Sequence, residues 1–102
     1  MANETREIKR LRIRGGVQKI GFRVWCEREA LALGLKGWVR NRTDGSVELV
    51  VAGPPDDLAQ LIARCWRGPS LAKVEAIDIE EASALDLGFR RPGETFSLLA
   101  TE

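Results

Sequence analysis

Between Ile8 and Glu81 the apolar period of this 102-residue chain switches from two to about 3.6 and back, twice over. A chain of this length has room for one hydrophobic core, so two strand-helix-strand units must share one sheet. Ile8–Arg14 reads as a strand, with Leu11 and Ile13 on one face and Arg10, Arg12 and Arg14 on the other. A helix is predicted over Phe22–Leu33, where Phe22, Cys26, Ala30 and Leu33 share a side, and Gly34 is placed to end it. Gly37–Asn41 and Val47–Ala52 read as strands joined by a hairpin turn at Thr43-Asp44-Gly45-Ser46. A second helix is predicted over Pro55–Arg67, with proline and two aspartates in its first turn and Gly68-Pro69 as its stop.

Val74–Glu81 reads as a fourth strand, but Val74 is out of phase with Ile77 and Ile79, which allows for a bulge. Ala82–Glu94 is expected to be a loop and Thr95–Ala100 a last edge strand. The predicted fold is therefore α+β: a ferredoxin-like (βαβ)×2 sandwich, its antiparallel sheet carrying two helices on one face, plus a short C-terminal strand. One domain over 1–102 is expected, with a polar tail at 1–6.

Composition narrows the function classes. Sixteen Lys and Arg against 15 Asp and Glu leave a net charge of +1, which argues against a broad nucleic-acid surface. No apolar run is long enough to span a bilayer, and Met1–Arg10 lacks the apolar segment of a secretory signal, so a cytoplasmic protein is expected. With no histidine, the usual general base is missing, and two cysteines alone make a poor zinc site. Cys26 and Cys65 fall on apolar helix faces and read as reduced, buried thiols. Neither has an arginine six residues on, where Ala32 and Leu71 stand, so a cysteine-nucleophile phosphatase is not indicated.

The chemistry concentrates in Gly15–Arg23. This segment joins a strand to a helix, so its backbone N–H groups can converge at the helix N-terminus as an anion site, with the fork of Arg23 beside them. Gly16 and Gly21 have the spacing of a nucleotide-binding P-loop, but Phe22-Arg23 stands where lysine and serine or threonine should follow. A lone arginine at a helix start is otherwise usually a solvated charge, and Asn41 by itself reads as a turn-former or a satisfied hydrogen-bonding group.

Together these stretches are more specific. Val17-Gln18-Lys19-Ile20-Gly21-Phe22-Arg23, Leu33-Gly34-Leu35-Lys36-Gly37-Trp38-Val39-Arg40-Asn41 and Asp44-Gly45-Ser46-Val47-Glu48 closely resemble the acylphosphatase family. Gly68-Pro69 followed by Ala72 and Val74 matches a later segment of it, so the resemblance runs from about Leu11 to Val74. It implies the same ferredoxin-like fold and hydrolysis of a small acyl phosphate to a carboxylate and inorganic phosphate, the latter also an inhibitor. It implies that the backbone of Val17, Gln18, Lys19, Ile20, Gly21 and Phe22 cradles the phosphate, that Arg23 binds the same group, and that Asn41 orients the attacking water. No cofactor, metal, nucleic-acid or membrane partner is expected, and a monomer is.

The chain departs from the family pattern where a glycine is common and Lys19 stands; a basic residue is often found where Gly16 stands. If position 19 takes a positive φ, a lysine there costs about 1–2 kcal/mol. That leaves open an alternative, a catalytically weak phosphate-binding module in which Lys19 perturbs the cradle. A third reading, an RNA-binding sheet face over Arg10, Arg12 and Arg14, lacks the stacking aromatics. Salt bridges to glutamates such as Glu48 or Glu75 are expected there instead. Trp25, Trp38 and Trp66 are expected to cover the core edge, and Asp56 and Asp57 to serve the helix start.

Overall fold

The computed structural model describes residues 6–102; most of the polar tail expected at 1–6 lies outside them. The strands are β1 (Glu7–Gly16), β2 (Lys36–Asn41), β3 (Val47–Gly53), β4 (Lys73–Glu81) and β5 (Phe96–Leu98). The helices are α1 (Phe22–Ala32), α2 (Pro55–Arg67) and a single turn, α3 (Ala84–Leu87). Strand order is β4-β1-β3-β2-β5, with the first four strands antiparallel to their neighbours and β5 parallel to β2. The sheet is thus the expected ferredoxin-like one, made mixed by its last strand. Among the described residues, no helix is long and apolar enough to cross a membrane.

Alternation decides which residues face the two long helices. Leu11, Ile13, Val39, Val47, Leu49 and Val51 form the sheet side of the core, against Phe22, Cys26 and Ala30 of α1 and Leu58, Leu61 and Cys65 of α2. Each Val, Leu, Ile and Phe among them contributes about 1.5–3 kcal/mol on burial, so this layer outweighs the surface ion pairs, worth about 0–1 kcal/mol each. Both cysteines are free and buried. Burial, with the hydrogen bond that the thiol makes to Cys65, pushes Cys26 well above its usual value, which keeps it protonated.

The opposite face is also covered, which the sequence reading did not provide for. Trp38 is not at a core edge but fully buried on that face, where its indole N–H donates to the Asp86 carbonyl at 2.7 Å. Phe89 packs on it at 6.1 Å between ring centroids, and the Arg40 guanidinium lies 4.9 Å from the ring centre. Trp25 does pack against the core, and Trp66 is half exposed. The expected loop over 82–94 contains α3, set by a capping box in which Ser83 and Asp86 each hold the other's backbone N–H. The bulge is present as well: Arg14 pairs with Ala76 and Gly15 with Val74, so Glu75 is the extra residue.

Glu48 is the buried charge of this face. Its carboxylate, 1% exposed, meets Arg10 at 2.7 Å, Arg40 at 2.9 Å and Arg42 at 3.4 Å. Arg14 pairs with Asp78 at 2.8 Å, and Arg10 also reaches Asp86 at 3.1 Å. The expected role of Glu48 is there; Glu75 makes no ion pair among the described residues, and Asp78, Glu80 and Asp86 serve instead. Removing one partner of a buried ion pair costs about 3–5 kcal/mol. Glu48→Gln is therefore expected to lower the urea-unfolding free energy by about 3 kcal/mol, the three arginines being partly solvated.

Asp86 gives the fold a pH dependence. The Ser83 N–H, then the Ser83 hydroxyl and Arg10, hold its carboxyl below the usual carboxylate value. A carboxylate lowered on folding stabilises above its unfolded pKa, about 3.9, and loses that contribution as pH falls through the folded value. The gap in urea midpoint between wild type and Asp86→Asn is expected to be full above about pH 4 and to close below it.

Candidate active site

In this sheet β1 and β2 flank β3 and run parallel to each other. Val47 is paired with Ile13 on one side and with Asn41 on the other. The loop leaving β1 and the last residue of β2 are therefore neighbours at one end of the sheet. The exit of β1 is tight: a Cβ on Gly15, at φ 123°, would sit 2.2 Å from the Lys73 carbonyl oxygen. Only glycine passes there without moving β4.

The loop itself is anchored from below and open above. Val17 is buried, and its N–H donates to the Gly15 carbonyl at 3.0 Å. Ile20 packs against the core. Gly21 caps α1 with φ 80° and ψ 19° and no side-chain hydrogen bond. The first loop or helix amide after Val17 to find a backbone acceptor is Trp25, which donates to the Gly21 carbonyl at 3.0 Å. Among the described residues, the N–H groups of 18–24 thus have no backbone acceptor, at a helix end whose dipole favours an anion. Val17 was expected to share the cradle; its own N–H is committed to the Gly15 carbonyl, and the residue lines the pocket.

Lys19 takes φ 66°, the one non-glycine residue at positive φ among those described. The condition set by the sequence is met, and the backbone there carries about 1–2 kcal/mol of strain.

Two contacts that the sequence did not reveal fix the parts relative to each other. The Gln18 side-chain amide donates to the carbonyls of Arg42 and Ser46, both at 2.8 Å, and so ties the loop to the β2–β3 hairpin. Arg23, in the first turn of α1, donates from Nη1 to the Leu99 carbonyl at 3.0 Å. The chain after β5 continues along β2, with Leu99 N–H on the Val39 carbonyl at 2.9 Å and Glu102 N–H on the Asn41 carbonyl at 3.1 Å. Gln18 could have been suspected as a polar side chain with two amide protons in a turn-rich loop. The Leu99 carbonyl leaves no mark in the residue string.

The hairpin is held by Asp44, whose Oδ1 accepts from the Ser46 hydroxyl at 2.6 Å and the Ser46 N–H at 2.9 Å. Those bonds, aided by Arg12 and Arg14, keep its carboxyl below the usual range.

The result is a pocket of about 190 Å³ lined by Val17, Lys19, Gly21, Phe22, Arg23, Val24 and Asn41. Drug-sized ligands occupy about 300–1,000 Å³, so this one suits a small molecule. The side chains of Gln18 and Ile20 point elsewhere, to the hairpin and the core. Its lining has two cations and no carboxylate. A roomier groove of about 260 Å³ lies over Arg10, Arg12, Arg14, Asp78, Ile79 and Glu80, but carboxylates among its own walls offset its arginines. Electrostatics therefore favour the smaller pocket as the anion site.

The sequence model of the acylphosphatase family matches residues 9–90. An acylphosphatase of Rhodopseudomonas palustris is 52% identical over 94 residues, 92% of this chain and 95% of that one. The solved acylphosphatase of Coxiella burnetii superposes with a TM-score of 0.81 at 29% identity, over 97% of this chain and all of the other. That of Bacillus subtilis gives 0.78 at 32% identity, over 90% and 97%.

Gln18→Met keeps the length of the side chain and removes both donors, leaving two part-buried carbonyls without them. It is expected to cost about 1–3 kcal/mol in urea unfolding and to speed amide exchange in the 42–46 turn, while exchange in α2 stays slow.

Proposed function

The chain belongs to the acylphosphatase family, hydrolases of acyl phosphates, and on that premise we propose how its residues divide the work. The N–H groups of Gln18, Lys19, Ile20, Gly21 and Phe22 hold the phosphoryl oxygens, with the Arg23 guanidinium on the same group. The Asn41 carboxamide positions a water opposite the acyl oxygen. The water oxygen bonds to phosphorus, the bridging P–O bond breaks, and the carboxylate departs with its electron pair. Both protons of the water finish on the phosphate product. A carboxylate is a stable leaving group, so no strong general acid is required, and positioning with charge stabilisation carries the reaction. The observation that carries this reading is a single pocket where unpaired helix-start amides, Arg23 and Asn41 meet without any carboxylate.

The reading extends to one domain over 1–102 acting as a monomer in the cytoplasm, without nucleic-acid or membrane partners, metal or cofactor. The net charge of +1 and the free, buried Cys26 and Cys65 support it. Inorganic phosphate, meeting the same donors as the phosphoryl group, serves as product and inhibitor.

Hydrolysis of benzoyl phosphate with a chelator present tests the division of labour. Turnover is expected to persist with chelator. Arg23→Ala is expected to lose turnover together with inhibition by phosphate. Asn41→Ala is expected to lower kcat by about 10²–10³-fold, the loss typical of a preorganised transition-state group, while its inhibition constant for phosphate stays near wild type. Equal loss of phosphate affinity in both variants would overturn the assignment of roles.

A further inference from the structure

Lys19 sits where the loop turns through left-handed space, a conformation that side chains other than glycine avoid. Residues held in such strain cluster at sites where position matters more than local comfort. The residue is exposed, yet it lines the pocket that also holds Arg23 and Asn41. Among the ion pairs of the described residues, none involves Lys19 and none involves Arg23. The two basic residues thus line one small cavity whose walls include no carboxylate.

In the reading above, the phosphoryl group takes the loop amides and Arg23, whose fork of donors matches it. Lys19 is then a second positive charge in the pocket with no assigned ligand group. Its ammonium is a compact charge on a flexible stem, suited to an anion at a variable distance. Resting on that reading, we propose that Lys19 is a specificity-determining residue, and that it favours acyl phosphates whose acyl part carries a second negative charge, a carboxylate or a further phosphate. The attraction works across an exposed surface. It therefore amounts to about a three- to fivefold preference, the size of a solvent-exposed ion pair, and it fades with added salt.

The test compares kcat/KM for 4-carboxybenzoyl phosphate with that for its uncharged 4-carbamoyl counterpart. The wild type is expected to favour the carboxylate about three- to fivefold at low ionic strength. Lys19→Gln is expected to bring the ratio to one or below, whatever its absolute rate, and Lys19→Arg to keep it. A ratio unchanged by Lys19→Gln overturns the proposal. So does an equal loss on both substrates together with weaker phosphate inhibition, which would assign the lysine to the phosphoryl group itself. Binding of 4-carboxybenzylphosphonate against benzylphosphonate, followed by calorimetry, gives the same ratio without turnover. A chain that shows the Lys19-dependent binding ratio but hydrolyses neither acyl phosphate would sink the hydrolytic roles and sustain this one.

Discussion

The site depends on one register. Val47 is bridged to Ile13 on one side and to Asn41 on the other, so the loop after β1 and the end of β2 meet across a single residue of β3. That register is locked from both faces. Val47, Leu49 and Val51 enter the helix-covered core, while Glu48 and Val50 are buried beneath the segment that carries α3. A slip of one residue would exchange the two faces. It would drive Glu48 into the apolar layer away from Arg10, Arg40 and Arg42, and would take Val47 out of line with Ile13 and Asn41. The arginine cluster, far from the chemistry in role, is thus one of the reasons that Asn41 stands where it does.

The loop poses the opposite problem, since a run of free N–H groups has little of its own to hold it. Three residues at positive φ, Gly15, Lys19 and Gly21, fall within seven positions and bend the chain away from regular structure. Such a run gains nothing from internal hydrogen bonds. Its shape comes from outside: Val17 and Ile20 are held by the core, and the Gln18 amide by the hairpin carbonyls. In the proposed reaction the amides are then preorganised before any anion arrives, which is the condition under which fixed dipoles stabilise developing charge most.

How much of this the sequence carries depends on whether a feature is periodic. The bounds of α2, the hairpin turn and the β4 bulge follow from apolar phase and turn chemistry, and the bulge lies at Glu75, beside the phase break at Val74. The one-turn α3 was legible in principle, because Ser83 and Asp86 have capping-box spacing, but one turn offers no apolar stripe to mark it. Alternation put Trp38 and Arg40 on the second face without saying what would cover them. The anchor of Arg23 was beyond reach, since any residue at 99 presents the same carbonyl. The resemblance supplied the site residues as a set, and only the geometry shows that the Val17 N–H has a backbone acceptor while those that follow it have none among the described residues.

The identity of that anchor matters for charge. An arginine at a helix start opposes the local dipole by a few tenths of a kcal/mol or more, and a carboxylate partner would be the obvious remedy. Here the partner is a neutral carbonyl, which fixes the guanidinium without cancelling it. The pocket keeps its full positive potential, and in the proposed reaction Arg23 meets substrate, transition state and inorganic phosphate alike. Such uniform binding lowers KM but does not by itself raise kcat. In that reading the discrimination comes from a group that meets only the attacking water, the role proposed for Asn41, an uncharged side chain at the end of β2 in the same pocket. In the same reading, retention of product follows from the positive potential that gathers the substrate.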